Sequence, residues 1–258
     1  MRLDALQGLS DTGTVRRHNE DRFLVDAALG LAAVADGMGG HRYGDVASAG
    51  TLALLRAALD EAPPQPAQAD DPDATTVDVR WRQAAVLQDA IAHANRALYE
   101  ENCARGQAEG QGMGTTLTGW QWLQGAAAIV VFHVGDSRLY RWRAGELVQL
   151  TRDQTAYQLA LETGAAGALP PQNMLLQAVG PAAVVEPDIA IHAVRAGDLL
   201  LLCSDGLHGW VPHAELERQL GAAQAPAQLC AELVALAKRY GSRDNITAVA
   251  GRFVADAA

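Results

Sequence analysis

Cysteine is scarce in this chain. Its 258 residues include three, Cys103, Cys203 and Cys230, far apart and in no CxxC pair. That excludes a disulfide framework and points to a reducing, cytoplasmic setting. Lysine occurs once, at Lys238, among 20 basic residues. Acids number 30 and the formal net charge is −10, which repels nucleic acid and anionic membrane at long range. Long apolar runs are missing. The longest, Gly125–Val134, is about half of the roughly 20 residues that a membrane helix needs. The N-terminus, MRLDALQGLSD, has an early acid and no apolar stretch of the secretory kind. Seven histidines show no ligand spacing, which disfavours zinc. What the chain does have is apolar content, 49% of its residues, enough to bury a substantial core.

Short runs rich in β-branched and apolar residues predict strands over Ala5–Leu9, Arg22–Asp26, Leu29–Ala35, Thr115–Leu123, Ala126–Val134, Ser137–Arg143, Leu147–Leu150, Ile189–Val194, Asp198–Cys203 and Ile246–Phe253. Helices are predicted over Asp45–Glu61, Val79–Cys103, Thr155–Thr163, His213–Leu220 and Ala225–Tyr240. Strand follows strand through turns such as RAGEL at 143–147, which argues for antiparallel sheets. The pattern is α+β: a two-sheet core with helices packed outside. One domain, 1–258, is expected. APPQPAQADDPDATT, 62–76, reads as a flexible connector within it, and 153–181 as a small insertion over one edge.

Acids recur at strand ends and tight turns, beside glycine or a small residue. Glu20 and Asp21 stand in HNED, Asp36 in VADGMGG, Asp136 in HVGDSR, Asp205 in LLCSDG and Asp244 in SRDN. Each one alone suits a turn. Gathered together they would need cations, because acids are rarely buried unpaired. Oxygen donors without a Cys or His cluster select Mg²⁺ or Mn²⁺. Gly37 would let its own carbonyl face such an ion.

The segments GTVRRHNEDRF, VADGMGGHRYGDVAS, GMGTTLTG, HVGDSRLYRWRAGELVQLTRD, NMLLQAVG, LLCSDGL and GSRDNITAVA occur in that order. In this the chain resembles the bacterial metal-dependent serine/threonine protein phosphatases of type 2C, from about Leu9 to Phe253. The resemblance implies a four-layer sandwich of two antiparallel sheets flanked by helices, with 153–181 as the family's flap. It implies two Mn²⁺ or Mg²⁺ ions, bridged by Asp36. Asp205 and Asp244 would complete one site, and Glu20 with the Gly37 carbonyl the other. Asp136 with Asp205 matches a third site. Asp21 would orient a metal-held water, and Arg16, ahead of Arg17, would grip the substrate phosphate. The implied reaction is direct hydrolysis by a metal-activated water. Implied partners are phosphorylated proteins and a cognate serine/threonine kinase, with no nucleic acid or membrane, and a monomeric state. Some stand-alone relatives regulate type VI secretion.

The chain departs from the family twice. Met38 stands where eukaryotic members carry a histidine acid. A metal-held water or His41 is then left to protonate the leaving oxygen. Gln154 and Thr155 stand where relatives read histidine and serine, at the opening of the flap, which tends to set substrate preference. The alternative reading is a catalytically dead fold serving as a phosphoprotein-binding or sensor module, which the full set of acids opposes. A phosphatase of anti-sigma-factor antagonists is a third reading, opposed by the lack of a sensor domain. Trp120, Trp122, Trp142 and Trp210 are read as packing, as are His133, His208 and Cys203. Arg141 and Arg143 are read as a solvated strand face. If His41 is the acid, His41→Ala lowers turnover of a phosphoserine peptide far more than of p-nitrophenyl phosphate, whose leaving group needs no proton. Equal, small losses on both remove it from the mechanism.

Overall fold

The computed structural model describes residues 1–39, 43–61, 78–164, 167–222 and 224–256. The proposed connector, 62–76, and His41 lie outside them. Two antiparallel sheets form the centre. In one, β1 (Arg2–Asp11), β11 (Ile246–Val254), β10 (Leu199–Cys203), β7 (Arg138–Arg143) and β8 (Glu146–Gln149) lie in that order. In the other the order is β2 (Asp21–Asp26), β3 (Leu31–Met38), β5 (Leu117–Leu123), β6 (Ala128–Val134) and β9 (Asp188–Ala193). A short β4 (Gly114–Thr115) pairs with the end of β3.

Strand alternation explains the layering. On β3, Ala32 and Val34 join the apolar layer between the sheets, while Leu31, Ala33 and Ala35 face helices. On β10, Leu200 and Leu202 point between the sheets, and Leu199, Leu201 and Cys203 point outward. These two strands are buried on both faces, so they read as continuous apolar runs. Helices α1 (Tyr43–Glu61) and α2 (Val79–Ala104) cover the second sheet through Leu52, Leu55, Leu87, Ile91 and Leu98. Helices α5 (His213–Leu220) and α6 (Pro226–Arg239) cover the first through Leu216, Leu220, Leu229 and Leu233. Local chemistry starts them: the Asp78 carboxylate accepts the Arg80 N–H before α2, and Pro226 opens α6 where no N–H partner is needed.

The expected sandwich is observed, with local corrections. The strand read as Thr115–Leu123 is broken at Thr116, whose N–H donates instead to the Asp36 carbonyl. The strand read from Ala126 starts at Ala128, because Ala127 takes a left-handed turn, φ 47°, after a single 3₁₀ turn. Arg143 is not part of a solvated face. Its Nε and Nη2 donate to the two carboxylate oxygens of Asp198 at 2.7 and 2.6 Å, and Asp198 is 1% exposed. Trp120 is the largest fully buried side chain, between the sheets and 5.8 Å from the Phe253 ring. Gly251 makes room for it: a Cβ there would stand 2.9 Å from the indole.

Truncating Trp120 removes that inter-sheet wedge. Trp120→Ala is expected to cost about 3–5 kcal/mol in urea unfolding. A loss under about 1 kcal/mol would show that the sheets do not depend on it.

Candidate active site

The acids singled out in the sequence come from separate parts of the chain and meet at one end of the two sheets. Asp36 sits near the end of β3. Asp205 opens the four-residue helix α4 (Asp205–His208) directly after β10. Asp136 occupies the turn between β6 and β7, and Asp244 the turn before β11. Glu20 precedes β2. These five carboxylates, with Arg16, Gly37 and Met38, line one cavity of about 270 Å³. Asp21 does not line it. It lies beneath, opposite Asp36 in the β2–β3 ladder and 1% exposed, and its Oδ2 accepts from Ser204 and Thr247 hydroxyls, both at 2.7 Å.

Backbone bonds fix the acid-bearing turns. The Asp36 N–H donates to Thr116 Oγ1 at 2.9 Å, and Thr115 Oγ1 and the Thr116 N–H donate to the Asp36 carbonyl. Thr116 Oγ1 also meets Ser137 Oγ at 2.9 Å, joining the Asp36 strand to the residue after Asp136. Asn245 gathers the loop that carries Arg16 and Glu20: its Oδ1 accepts the Glu20 N–H, and its Nδ2 donates to the Thr12 and His18 carbonyls. Gly37 is glycine for space. A Cβ there would stand 2.1 Å from the Gly44 carbonyl oxygen and 2.7 Å from that of Glu20, so any side chain would push α1 off the end of β3.

Packing acids together has an electrostatic consequence. Burial, reinforced by Asp21, Asp205, Asp136 and Asp244, raises the Asp36 carboxyl well above its ordinary range. Burial, with Asp205 and Asp153 adding repulsion, lifts Asp136 to about 7. Burial raises Asp205 as well, with Asp244 adding to it and a hydrogen bond to Asp36 opposing. Burial lifts Asp21 to about 6 against the pull of its two hydroxyl donors. Arg16 is the cation on the rim, its Nη2 donating to Asp244 Oδ2 at 2.7 Å.

Among the described residues, no three His, Cys, Asp or Glu side chains stand close enough to hold an ion as they are. Arg16 draws Asp244 to itself. The donor set still fits hard divalent cations. It is all oxygen, it lines one cavity, and Asp205 Oδ1 is buried with no hydrogen-bond partner. A cation at Asp36, Asp136, Asp205, Asp244 and Glu20 would answer the repulsion that raises Asp36, Asp136 and Asp205.

Several residues that hold the site were not singled out in the sequence as site residues. Thr116 and Asn245 sit inside quoted motifs, but polar residues in turns carry no mark of their long-range bonds. Gln154, a departure from the family pattern, is 4% exposed. Its Oε1 accepts the Gly135 N–H at 2.9 Å, its own N–H donates to the Gly135 carbonyl at 2.8 Å, and its Nε2 donates to Asp188. His208 holds the next carbonyl, with Nε2 at 3.0 Å from Asp136 O, and burial lowers its pKa to about 3, so the ring is neutral and donates. The Asp136 turn is thus gripped from the flap base and from α4. Thr155 caps α3 (Ala156–Thr163), accepting the Gln158 N–H.

Comparison with known proteins agrees. The protein phosphatase 2C family model matches residues 14–247. A serine/threonine phosphatase, stp, of Listeria innocua is 35% identical over 249 residues, covering 92% of this chain and 91% of that protein. The catalytic domain of the serine/threonine protein phosphatase PstP, solved with two manganese ions, superposes with a TM-score of 0.80 at 34% identity, covering 97% of this chain and 98% of that one. PppA of Pseudomonas aeruginosa, described as a key regulatory component of its type VI secretion system, gives 0.80 at 32%, covering 96% of both.

The raised Asp136 pKa has a defined sign. The folded state holds this proton more strongly than the unfolded chain, whose value is near 3.8. Without metal, stability therefore falls as pH rises from about 4 through about 7. In EDTA near pH 8, Asp136→Asn is expected to melt a few degrees above wild type, with the gap closing toward about pH 4. A variant that melts lower near pH 8 would show that the charge is already compensated.

Proposed function

This chain belongs to the protein phosphatase 2C family, and we propose a division of labour among its residues in the metal-dependent hydrolysis of phosphoserine and phosphothreonine that the family performs. Its relatives are serine/threonine phosphatases, and its substrates are phosphoproteins. Catalysis depends on Mn²⁺ or Mg²⁺. The observation that carries the assignment is the cavity lined, among the described residues, by five carboxylates and Arg16.

Asp36, Asp205, Asp244, Glu20 and the Gly37 carbonyl hold the two core ions in this reading, and Asp136 with Asp205 a third. Bound there, the ions supply an activated water and draw charge from the phosphate. Asp21 sits under Asp36 and sets its position through the β2–β3 ladder, with its own carboxylate held by Ser204 and Thr247. Arg16 receives the phosphate. Its guanidinium fork suits two phosphate oxygens. Its present contact with Asp244 does not stand in the way, because the two side chains are 51% and 32% exposed and such pairs are worth about 0–1 kcal/mol. A cation taken up by Asp244 would weaken that contact further and free the arginine. Met38 lines the cavity and carries no proton to give, so the proton for the leaving seryl or threonyl oxygen would come from a metal-held water or from His41, which lies outside the described residues.

The finer setting is also a proposal. A serine/threonine kinase supplies the substrates, and the chain works as one phosphatase unit, a monomer, with 153–181 as its flap. Control of type VI secretion is supported by the likeness to the Pseudomonas protein. A cytoplasmic location is supported by three free cysteines, two of them buried. Among the described residues, no helix is long and apolar enough to cross a membrane.

The test is hydrolysis of a phosphothreonine peptide in EDTA, Mg²⁺ and Mn²⁺, wild type beside Asp36→Asn. Activity is expected only with metal, falling by about 10²-fold or more in the variant. A wild type that binds the phosphopeptide but releases no phosphate under any metal would make the chain a binding module instead.

A further inference from the structure

The two acids of the proposed third ion site sit where a ladder ends. Strands β7 and β10 pair from Trp142 opposite Leu199 to Arg138 opposite Cys203. Beyond that rung the two chains part. Asp136 lies two residues before Arg138 and Asp205 two residues after Cys203, at matching positions on the two sides of the opening. The ladder no longer sets their spacing. Asp205 is fixed from one side. It opens α4, whose Gly206 carbonyl accepts from Ser242 Oγ at 2.8 Å. A Cβ on Gly206 would stand 1.8 Å from the Asn245 carbonyl oxygen. Helix α4 is therefore packed tightly onto the turn that carries Asp244.

One side chain spans the opening. His208 follows Asp205 by three residues and so lies on the same side of α4. Its Nε2 is 3.0 Å from the Asp136 carbonyl oxygen. A carbonyl only accepts, so this nitrogen carries the hydrogen. The other ring nitrogen, Nδ1, is buried with no hydrogen-bond partner. Among the described residues, no other hydrogen bond joins residues 135–137 to residues 204–209. The Asp136 turn does not need this bond to form. Gln154 bonds both the N–H and the carbonyl of Gly135, and Ser137 Oγ meets Thr116 Oγ1. Asp136, Asp205 and His208 also line a second cavity of about 370 Å³. Glu20, Asp36 and Asp244 do not line it, so His208 stands on the Asp136 side of the site. Trp210, just past α4, is at the rim of that cavity and 38% exposed, which corrects its reading as packing.

We propose that His208 is a positioning residue for the third ion: by tying the Asp136 carbonyl to α4 it sets the separation of the Asp136 and Asp205 carboxylates, and with it the affinity for that ion but not for the core pair. The proposal rests on the reading that Asp136 and Asp205 share an ion. Groups that hold a metal ligand from behind typically change metal affinity by about 10–100-fold when removed.

The experiment is Mn²⁺ titration calorimetry on the full chain, comparing wild type with Asp136→Asn, His208→Leu and His208→Gln. Leucine keeps much of the volume and removes the donor, while glutamine carries an N–H at a reach similar to that of Nε2. Wild type is expected to show a weaker class of bound Mn²⁺ that Asp136→Asn abolishes. His208→Leu should weaken that class by about 10-fold or more while the tighter ions bind as in wild type, and His208→Gln should restore it. Melting in EDTA reports whether each variant folds. If the leucine variant does not, His208→Asn, whose amide falls short of the carbonyl, takes its place. An unchanged weak class in a folded His208→Leu or His208→Asn overturns the proposal. So does equal weakening of every class, or a loss that glutamine does not repair, either of which makes the ring ordinary packing. A wild type with no class that Asp136→Asn removes overturns the third-site reading, and this proposal with it.

Discussion

Mutual repulsion among the carboxylates at one end of the two sheets is the constraint on which this structure turns. Burial raises Asp36, Asp136 and Asp205, and neighbouring acids add to it: Asp21, Asp205, Asp136 and Asp244 at Asp36, Asp205 and Asp153 at Asp136, and Asp244 at Asp205. A buried, unmatched charge costs several kcal/mol, against a net stability of about 5–15 kcal/mol for a whole domain. The fold tolerates the cluster because other parts hold it. Three apolar layers, one between the sheets and one under each pair of helices, carry the stability. The acid-bearing turns are pinned by Thr115, Thr116, Ser137, Asn245, Gln154 and His208, so the repulsion cannot be relieved by moving the turns apart.

That arrangement also explains why binding and chemistry share one place. A site strained by like charges would gain relief from divalent cations, and the residues that would hold them line the same cavity that would receive a phosphate. Arg16 sits on Asp244 through a half-exposed contact, a kind of pair worth only about 0–1 kcal/mol. Asp21, beneath the cavity, contributes through the ladder it forms with Asp36 and through the two hydroxyls that hold it. The flap is joined to this machinery at Gln154, whose amide spans the Gly135 backbone and Asp188, and at Val179, whose backbone bridges Thr115. The glutamine keeps an acceptor for the Gly135 N–H and a donor for Asp188. The rest of the flap presents apolar side chains to solvent beside the catalytic cavity.

The sequence by itself determined the strands, the helices and the list of acids. Strand runs such as Leu199–Cys203 and helix stripes such as Leu87, Ile91 and Leu98 are local patterns, and local patterns survive in a linear reading. Asp36 and Asp205 were legible because each stands beside a small residue at the end of an apolar run. The four-residue helix at Asp205 was not, being too short for a period, and neither was the break at Thr116, which is made by a bond to the distant Asp36. Tertiary structure alone decided that Asp21 lies below the cavity, that Arg143 closes on Asp198, and that Trp210 stands at a rim while Trp120 wedges the sheets. It also decided that Thr116, Asn245, Gln154 and His208 hold the acids. Each of those outcomes depends on which groups meet across tens or hundreds of residues, and a polar side chain in a turn carries no local sign of the partner it will find.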